Sequence, residues 1–428
     1  MINKFIAHIT FEANTALKIG SKSTDFLQDS PIQKDWNDLP MILGTSLTGV
    51  LRKEFDEESA NKFFGTGTKG SKTIISNALL LDENNNVNEK LLLEKSEFLQ
   101  NFIVMPIREH NAMNDKGVTK DTGKFDEEVI YKGSRFKFSI EMLNENADDE
   151  ENFLNLLNLL SKNSFRIGAG SSKGFGKIKI IEIKYDHFNI NSKEYIDYSS
   201  SLNTNLPKSY EITENKNKEY IQYQLNLTPD DFFMFGSGFG DDEADMIPVV
   251  EKVIDYEIKG LTEEKILIPA SSVKGAISHR TTYYYNLFKG IFIESNETPY
   301  ESVESIFGAK KEKDEVGFKG NILISDIYLT KTPSTNTKIF DHVSIDRFTG
   351  GAIEGALFKE KTIASKESFI LEILVNKENV LDEIAIKAFE KALEDISTGM
   401  LSLGGATTKG HGLFKGTLLK DGEKYENI

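Results

Sequence analysis

The arrangement of apolar and polar positions along the chain predicts two kinds of element. Apolar residues alternate with polar ones in NKFIAHITFEA from Asn3 and in EYIQYQLNLTP from Glu219, which is the period-two pattern of strands. Apolar residues recur at helical spacing in ENFLNLLNLLSK from Glu151 and in DEIAIKAFEKALEDI from Asp382, which predicts amphipathic helices. Strand patterns outnumber helix patterns.

The order of these elements is the same in the two halves of the chain. PMILGTSLTGVLRKEF from Pro40 matches LIPASSVKGAISHRTTYYY from Leu267, and TIISNALLLDE from Thr73 matches NILISDIYLTK from Asn321. The other matched pairs are helices ending in Phe-Gly at residues 64–65 and 307–308, strand pairs from Lys124 and Leu357, and glycine-rich turns at 168–176 and 404–412. Five matches in one order indicate an internal duplication.

The duplication predicts two domains joined by a connecting segment. Residues 187–218 are rich in Asn, Ser and Lys and show no apolar periodicity, which is typical of a linker. We therefore predict a first domain at residues 1–186, a linker at 187–218 and a second domain at 219–428. Many strands with few helices predict an α+β fold with helices on one face of each sheet. The most economical architecture is a ferredoxin-like core with long loop insertions, repeated in tandem.

Composition places the chain among folded proteins without thiol chemistry. Its 428 residues exceed the size at which single cores stop growing, and its 29 Phe and 14 Tyr are not typical of disorder. The absence of Cys excludes disulfides, thiolate zinc sites and cysteine nucleophiles. Without a signal peptide or membrane-spanning stretch, we expect a cytoplasmic protein with no membrane partner. The net charge of −16 argues against a surface that is basic throughout, yet allows a local basic groove.

The glycine-rich turns, GAGSSKGFG and GGATTKGHG, have the composition of anion-binding loops. Glycines let main-chain N–H groups approach a ligand, while the Ser or Thr hydroxyls and the central lysine add donors and positive charge. Such a turn fits the phosphate backbone of a nucleic acid. The alternative is a tight helix-to-strand connection that binds nothing.

A second element with anion-binding character follows the first strand of each half. In GTSLTGVLRK, Thr45 or Ser46 is expected to cap a helix whose free N–H groups face an anion, and Arg52 follows about two turns later. The second half offers Ser272, Lys274 and Arg280 in SSVKGAISHR. The alternative is an ordinary capped helix with solvated basic residues.

An acidic loop precedes the second copy of this element. GDDEAD holds four carboxylates between Asp241 and Asp245, and several hard oxygens in one loop suit Mg²⁺ or Ca²⁺. A solvated acidic loop is the alternative. The six His show no HxH or HExxH spacing, which gives little support to a His-built metal site.

The repeated motifs together resemble the signature of the repeat-associated mysterious protein (RAMP) superfamily of CRISPR systems. That family's first element reads approximately D-S-P-[VI]…P-x-[IL]-x-G-[ST]-S-[LV]-K-G-x-[LI]-R, and this chain has DSPIQKDWNDLPMILGTSLTGVLR from Asp29 to Arg52. Both glycine-rich turns resemble the superfamily's defining loop, and HVSIDRFTGGAIEGALF from His342 is similar to a segment leading into a thumb hairpin. The resemblance is closest to the backbone subunit of type III effector complexes, here in two fused copies.

The resemblance implies that each half is an RRM-like domain that holds guide RNA while complementary target RNA pairs with it. It implies that Asp29 supports Mg²⁺-dependent cleavage of the target RNA, as general base or metal ligand, with Asp245 as the counterpart in the second half. Other effector subunits are the implied protein partners. The residues expected to contact RNA are Ser46, Arg52, Lys173, Gly174, Gly176, Ser272, Lys274, Arg280, Arg347, Lys409, Gly410 and Gly412.

Two long loops are expected to act as thumbs that wedge into the guide–target duplex. They span Arg108–Lys124, with Met113, and His342–Gly355, with Phe348, as the apolar residues that would part the bases. An insertion that contacts a neighbouring subunit is the alternative. His342 and His411 would lie in loops that face RNA, where a neutral polar role is the simplest interpretation.

Two other functions stay open. A non-catalytic scaffold subunit would hold guide RNA and neighbouring subunits without cutting, and it would not need Asp29. A guide-processing endoribonuclease of the same superfamily would use a His or Tyr near the first copy, where His8 on a predicted strand is the candidate.

Overall fold

Two antiparallel sheets, one in each half of the chain, organise the structure. The computed structural model describes residues 3–21, 30–113, 119–144, 149–212, 218–291, 300–309, 317–380 and 382–425. The first half contains β1 (Asn3–Ala13), β2 (Met41–Ile42), α1 (Gly44–Arg52), α2 (Glu57–Phe64), β3 (Thr73–Ile75), β4 (Ala78–Leu80), α3 (Glu97–Gln100), β5 (Ile107–Met113), β6 (Thr119–Glu128), β7 (Arg135–Asn144), α4 (Asp149–Leu159), β8 (Ile178–Asn189), α5 (Lys193–Ile196) and β9 (Lys208–Ser209).

The second half repeats this order with several added strands. It contains β10 (Tyr220–Pro229), β11 (Phe232–Phe233), β12 (Val250–Glu251), β13 (Ile254–Asp255), β14 (Gly260–Leu261), β15 (Lys265–Ile268), α6 (Ala270–Lys289), α7 (Tyr300–Phe307), β16 (Gly308–Ala309), β17 (Phe318–Lys319), β18 (Ile322–Ile324), β19 (Ile327–Leu329), β20 (Asn336–Ile345), β21 (Ala352–Ala364), β22 (Phe369–Asn376), α8 (Glu383–Ser397), β23 (Phe414–Lys420) and β24 (Glu423–Lys424). A 3₁₀ turn covers Thr407–Lys409. Of the helices in the described ranges, none has both the length and the apolar character needed to cross a membrane.

The first sheet is built around β1. Its strand order is β2-β4-β7-β1-β8-β9, with β3 also beside β7. Phe5 of β1 stacks on Phe153 of α4 with ring centroids 5.2 Å apart, so α4 covers the core face of the sheet. His8, on the opposite face of β1, is also buried, and its Nε2 lies 3.3 Å from the hydroxyl of Tyr198. The central strand is therefore covered on both faces.

The second sheet repeats the arrangement around β10. Its order is β18-β22-β10-β23-β24, so β22 and β23 flank β10 as β7 and β8 flank β1. Tyr223 of β10 contacts Phe389 of α8 with ring centroids 5.4 Å apart, which places α8 where α4 lies in the first half. The predicted helix ends at Phe64 and Phe307 are both confirmed. The α+β class predicted from the sequence is confirmed.

A β-hairpin lies where each thumb loop was expected. β5 and β6 form hairpin 1, which pairs Ile107 with Glu128 at its base. β20 and β21 form hairpin 2, which pairs Asn336 with Ala364 at its base. The expected loops are therefore strands over much of their length, because backbone pairing satisfies the N–H and C=O groups that a long loop would leave to water.

The segment expected to be a linker is ordered and packed over residues 187–212. β9 pairs with β8, and Leu202 and Leu206 are buried. The Asn203 side chain exchanges hydrogen bonds with the backbone of Val87 at 3.0 and 2.8 Å. The segment covers the second face of the first sheet, which the absence of apolar periodicity did not suggest, since a few anchor residues are enough to hold it.

A short hairpin of the second half, β13–β14, is buried in the first half. The Tyr256 hydroxyl donates to the carbonyl oxygen of Leu81 at 3.0 Å, and its ring contacts that of Phe98 with centroids 5.0 Å apart. The Ile254 N–H donates to the carbonyl oxygen of Lys132 at 2.9 Å. Ile254 and Tyr256 thus belong to the core of the first half, and the halves are joined by shared packing.

Candidate nucleic-acid interface

The two glycine-rich turns, turn 1 (residues 168–176) and turn 2 (residues 404–412), are held by the same backbone contacts. The Ala169 N–H donates to the carbonyl oxygen of Lys18 at 2.8 Å, and the Gly405 N–H donates to that of Met234 at 2.7 Å. In each half the turn is thereby fastened to the segment that follows the central strand. The alignment of the turns predicted from the sequence is thus also an alignment in space.

The surroundings of the two turns differ. Turn 1 lies against the second half: Gly174 forms a parallel bridge with Ser325, and its carbonyl oxygen accepts from the Asp326 N–H at 3.3 Å. Gly174 and Gly176 are buried. In turn 2, Gly410 and Lys409 are exposed, while Gly412 is buried. Turn 1 is therefore part of the junction between the halves, and turn 2 faces outward.

Arg108 of hairpin 1 fastens this junction. Its Nη2 lies 2.9 Å from a Glu251 carboxylate oxygen and 2.8 Å from the Tyr328 hydroxyl, and its guanidinium also pairs with Asp326. The guanidinium carbon lies 4.8 Å from the centroid of the Phe175 ring in turn 1. Although burial acts to lower it, the charges of Asp326 and Glu251 raise the pKa of Arg108 well above its ordinary value.

The helix starts are capped from outside, contrary to the expectation for Thr45 or Ser46. The N-cap positions are Leu43 in α1 and a proline in α6, and neither side chain can cap. Instead, Asn77 Oδ1 accepts from the Gly44 N–H at 2.9 Å, and Asp326 Oδ1 accepts from the Ala270 N–H at 2.8 Å. Two short strands of each half bring this acceptor to the helix. In α6 the carboxylate already occupies the place expected for an anion.

The predicted arginines have partners within their own halves. Arg52 donates to the Gly65 carbonyl oxygen at 2.8 Å and also to the Asn61 side chain. Arg280 donates to Asp395 at 2.6 Å and stacks over neighbouring tyrosine rings. Both side chains tie a helix to its surroundings, and neither is brought to a glycine-rich turn.

Lys274, by contrast, meets a glycine-rich turn of the other half. Its Nζ lies 3.4 Å from the Ser172 hydroxyl of turn 1. Burial, and then the charge of Lys173, lower the pKa of Lys274 to about 8. Ser46 and Ser272, at the same helix starts, are exposed. The two predicted motifs therefore converge across the junction, with the turn from the first half and the helix start from the second.

The loops that carry the candidate aspartates are closed alike. The bridges that close them, 216 residues apart, are Gly20 with Ile32 in the first half and Gly236 with Pro248 in the second. This offset makes Asp245 the counterpart of Asp29, which itself lies outside the described residues. By the same offset, Pro248 corresponds to Ile32.

Asp245 is exposed and held by one of its oxygens. Its Oδ2 accepts from the Lys359 N–H of β21 at 2.7 Å. Lys361 Nζ lies 2.6 Å from both Asp241 and Glu243, and its hydrogen bond lowers the pKa of Asp241 to about 2. No group of three or more potential His, Asp or Glu ligands is assembled within the described ranges. Lys361 thus partly neutralises the acidic loop, while Asp245 stays exposed and is not paired with this lysine.

A four-residue cluster that joins each hairpin to its glycine-rich turn was missed from the sequence. Cluster 1 consists of His110, Phe125, Glu127 and Lys173, and cluster 2 of His342, Phe358, Glu360 and Lys409. The His and Phe rings are stacked with centroids 5.0 Å apart in cluster 1 and 4.8 Å apart in cluster 2. The His Nε2 lies 3.1 Å and 3.2 Å, respectively, from the Glu carboxylate. The repeated dipeptides Glu-His at 109–110 and Asp-His at 341–342 were the available signal.

The other residues expected to approach RNA lie in different environments. Phe348, near the tip of hairpin 2, is fully exposed, and Arg347 beside it is exposed as well. Met113 ends β5, and residues 114–118 at the tip of hairpin 1 lie outside the described residues. His411, expected in a loop that faces RNA, is buried between the rings of Phe232 and Phe340, and His342 lies on a strand. His342 therefore does not lie in a loop, whereas His411 lies in the glycine-rich turn as expected but is buried.

Comparison with models of protein families identifies the family of this chain. The model of the RAMP superfamily matches residues 10–179 and again residues 234–415. The chain belongs to the RAMP superfamily. Each match contains a candidate aspartate, a hairpin and a glycine-rich turn, which agrees with two RAMP domains in tandem. RAMP membership makes the chain a CRISPR-associated RNA-binding protein. A search of curated proteins found no match.

Proposed function

We propose that this RAMP protein is a backbone subunit of a type III CRISPR effector. Each half holds guide RNA and supports cleavage of the complementary target RNA. The observation that carries the proposal is the convergence of two lysines at turn 1, where Lys274 Nζ lies 3.4 Å from the hydroxyl of Ser172, the neighbour of Lys173. The charge of Lys173, after burial, contributes to the lowered pKa of Lys274. An anion between them would relieve this repulsion, and a phosphate of bound RNA is such an anion.

Repetition of the site supports binding through phosphates. The same turn, hairpin and lysine occur in both halves, which suits a polymer whose backbone repeats at regular intervals. Phosphate contacts fix the register of a nucleic acid without reading its sequence, as a subunit that accepts arbitrary guides requires. Binding should therefore weaken steeply with salt and vary little with RNA sequence.

Asp29 and Asp245 are the proposed cleavage residues. RNA carries its own nucleophile in the 2′-hydroxyl, so a protein needs to hold the nucleotide in line, assist proton transfer and offset charge on the phosphate. Exposed Asp245 can act as a base or as one ligand of Mg²⁺, which often takes one or two carboxylates and completes its shell with phosphates and water. The ion would supply positive charge at the phosphate.

The decisive experiment assembles the complex with its guide and a labelled complementary RNA. Wild type is compared with Asp29→Ala, Asp245→Ala and the double variant, in Mg²⁺ and in chelator. Asp242→Ala is the matched control, because Asp242 is an exposed carboxylate of the same loop. Loss of one cut with each single variant and of both with the double variant is expected. Unchanged cutting in all three, with RNA still bound, would leave the chain as a scaffold.

Wedging by the hairpins can be tested in the same assay. Phe348 has no contacts to lose within the chain, since it is fully exposed. Phe348→Ala should therefore leave the fold intact while it reduces or shifts the cut that hairpin 2 exposes. An unchanged pattern of cuts would argue that the hairpin only contacts neighbouring subunits.

Guide processing is disfavoured as the alternative. His8 is buried, and burial lowers its pKa to about 4, so it is neutral at physiological pH and removed from a bound RNA. The scaffold alternative has no such structural argument against it. The Asp29 and Asp245 variants are its test.

We also infer a ferredoxin-like core in each half. Numbered within each repeat, the principal strands lie in the order second, third, first, fourth, which is the order of a split βαβ fold. Other effector subunits are proposed to dock on surfaces that correspond to the junction between the halves but are exposed. Asn77, the counterpart of buried Asp326, is exposed at the start of α1. Asn77→Arg should reduce incorporation into the complex without unfolding the chain.

A further inference from the structure

Cluster 2 surrounds a carboxylate that is removed from water. The Glu360 side chain has no exposed area, and Lys409 Nζ lies 2.9 Å from its Oε2. His342 Nε2 lies 3.2 Å from the same oxygen, and the His342 ring is stacked on Phe358. Burial of an ionised carboxylate is costly unless a cation or donors compensate it. Glu360 therefore requires Lys409, and it fixes where the ammonium of Lys409 lies.

Lys409 is held on two sides but remains accessible. Its Nζ lies 4.5 Å from the centroid of the Phe358 ring as well as against Glu360, and its side chain is 36% exposed. An ammonium has three N–H donors, so a lysine bound to one carboxylate can still donate to a phosphate. A free lysine side chain loses rotamer entropy when it is fixed. Prior fixation removes much of that cost from RNA binding.

A related arrangement occurs in the first half, where the lysine lies over the phenylalanine ring and acts on the glutamate through its charge without a direct ion pair. Lys173 Nζ lies 5.1 Å from the centroid of the Phe125 ring. Although burial acts to raise it, a hydrogen bond from His110 and the charge of Lys173 lower the pKa of Glu127. The four side chains of the cluster come from three separate segments in each half. Their recurrence argues for a shared task and against chance packing.

We propose that Glu360 is a positioning residue that presents Lys409 to a phosphate of bound RNA, and that Glu127 does the same for Lys173. The inference rests on the proposed function, since it assumes that the turn lysines contact RNA. The cluster also joins each hairpin to its glycine-rich turn. The hairpin that would wedge between bases is thereby held in a fixed position relative to the lysine that would contact a phosphate.

The test is a double-mutant cycle on the full-length chain with an unstructured single-stranded RNA. The variants are Glu360→Gln, Lys409→Ala and the two combined, with Glu378→Gln as the control. Glu378 is exposed and outside the cluster, and its substitution removes the same single negative charge. Glu360→Gln is expected to weaken RNA binding about fivefold, which is the size of effect expected for one ordinary hydrogen bond. Glu378→Gln should leave the affinity unchanged or slightly higher.

The cycle distinguishes positioning from a general effect. If Glu360 acts through Lys409, Glu360→Gln has no further effect once Lys409 is alanine. Two outcomes would overturn this inference without affecting the proposed function. One is equal RNA affinity of Glu360→Gln and Glu378→Gln, and the other is additive effects of Glu360→Gln and Lys409→Ala. A wild-type chain that binds no RNA would overturn the proposed function as well. Should Glu360→Gln not fold, the Glu127→Gln and Lys173→Ala pair gives the same cycle, since Glu127 is partly exposed.

Discussion

Turn 1 and turn 2 share their lysine, three of their glycines and the same backbone anchors, yet they have opposite surroundings. Turn 1 is buried against the second half, with Gly174 next to Asp326, whereas its counterpart Gly410 in turn 2 is exposed. Arg108 stands beside turn 1, and Phe340 takes the corresponding place beside turn 2. The buried arginine with its two carboxylates is thus found beside turn 1, in the junction between the halves. At the corresponding place beside turn 2 there is an aromatic contact between Phe340 and His411.

This difference shows how one motif serves two purposes. Because glycine has no Cβ, other groups can approach the backbone of both turns closely. At turn 1 the group that approaches is the second half of the chain, whereas at turn 2 it is solvent. The lysine remains free to approach a phosphate in both turns, because it points to the hairpin and not into the junction core. Structural docking and RNA contact are therefore divided among neighbouring residues of one short loop.

The largest effect is expected from Arg108→Ala. The substitution leaves Asp326 and Glu251 buried without their shared cation, since their side chains are only 0% and 9% exposed. Breaking such a pair costs about 3 to 5 kcal/mol. Chemical denaturation of the full chain measures the loss, with Arg347→Ala, an exposed arginine, as the control that should change stability by less than about 0.5 kcal/mol. Equal losses for both would contradict an ionic junction.

Gly174→Ala and Gly410→Ala compare the turns directly. Both glycines have positive φ, 115° and 91°, which is strained for alanine and costs about 1 to 2 kcal/mol. A Cβ at Gly174 would in addition lie 1.9 Å from Asp326 Oδ1, whereas a Cβ at Gly410 meets no atom within 4 Å. Gly174→Ala should therefore lower the melting temperature clearly more than Gly410→Ala. Similar shifts in melting temperature would mean that the junction between the halves can move to accommodate the added methyl group at little cost.

RNA binding at the junction should depend on pH through Lys274. Its pKa of about 8 means that its charge is present at pH 7 and lost as the pH rises through 8. RNA binds the charged form better, so affinity should fall up to about tenfold between pH 7 and 9. Titrations in that range, at constant salt, measure the effect. Lys274→Arg should abolish it because arginine stays charged, and persistence of the full dependence in that variant would assign it elsewhere.

The smallest effect is expected from Tyr256→Phe. The substitution keeps the ring against Phe98 but removes the hydroxyl, which donates to the Leu81 carbonyl oxygen and accepts more weakly, at 3.2 Å, from the Arg135 N–H. An unmade buried hydrogen bond costs about 1 kcal/mol, so the denaturation midpoint should move slightly. Tyr283→Phe, on an exposed residue of α6, is the control and should have no measurable effect. A Tyr256→Phe loss as large as that of Arg108→Ala would show that β13–β14, and not the ion pairs, holds the junction.

Sequence reasoning recovered the repeated elements well. The strands from Asn3 and Glu219, the helices α4 and α8 and the two turns were found because apolar periodicity and glycine spacing are local properties. The expected caps Thr45 and Ser46 were wrong because the acceptors come from Asn77 and Asp326, far along the chain. Clusters 1 and 2 were missed for the same reason, since each is assembled from three separated segments.

The sequence by itself determined that the chain repeats one α+β unit twice and that each unit carries a lysine in a glycine-rich turn. Periodicity and composition depend only on neighbouring residues, so they can be identified without knowledge of the fold. Only the tertiary structure decided that turn 1 meets the start of α6, with Lys274 beside Ser172 and within range of the charge of Lys173. Such pairings depend on how two sheets are set against each other, which is fixed by long-range packing and buried charge.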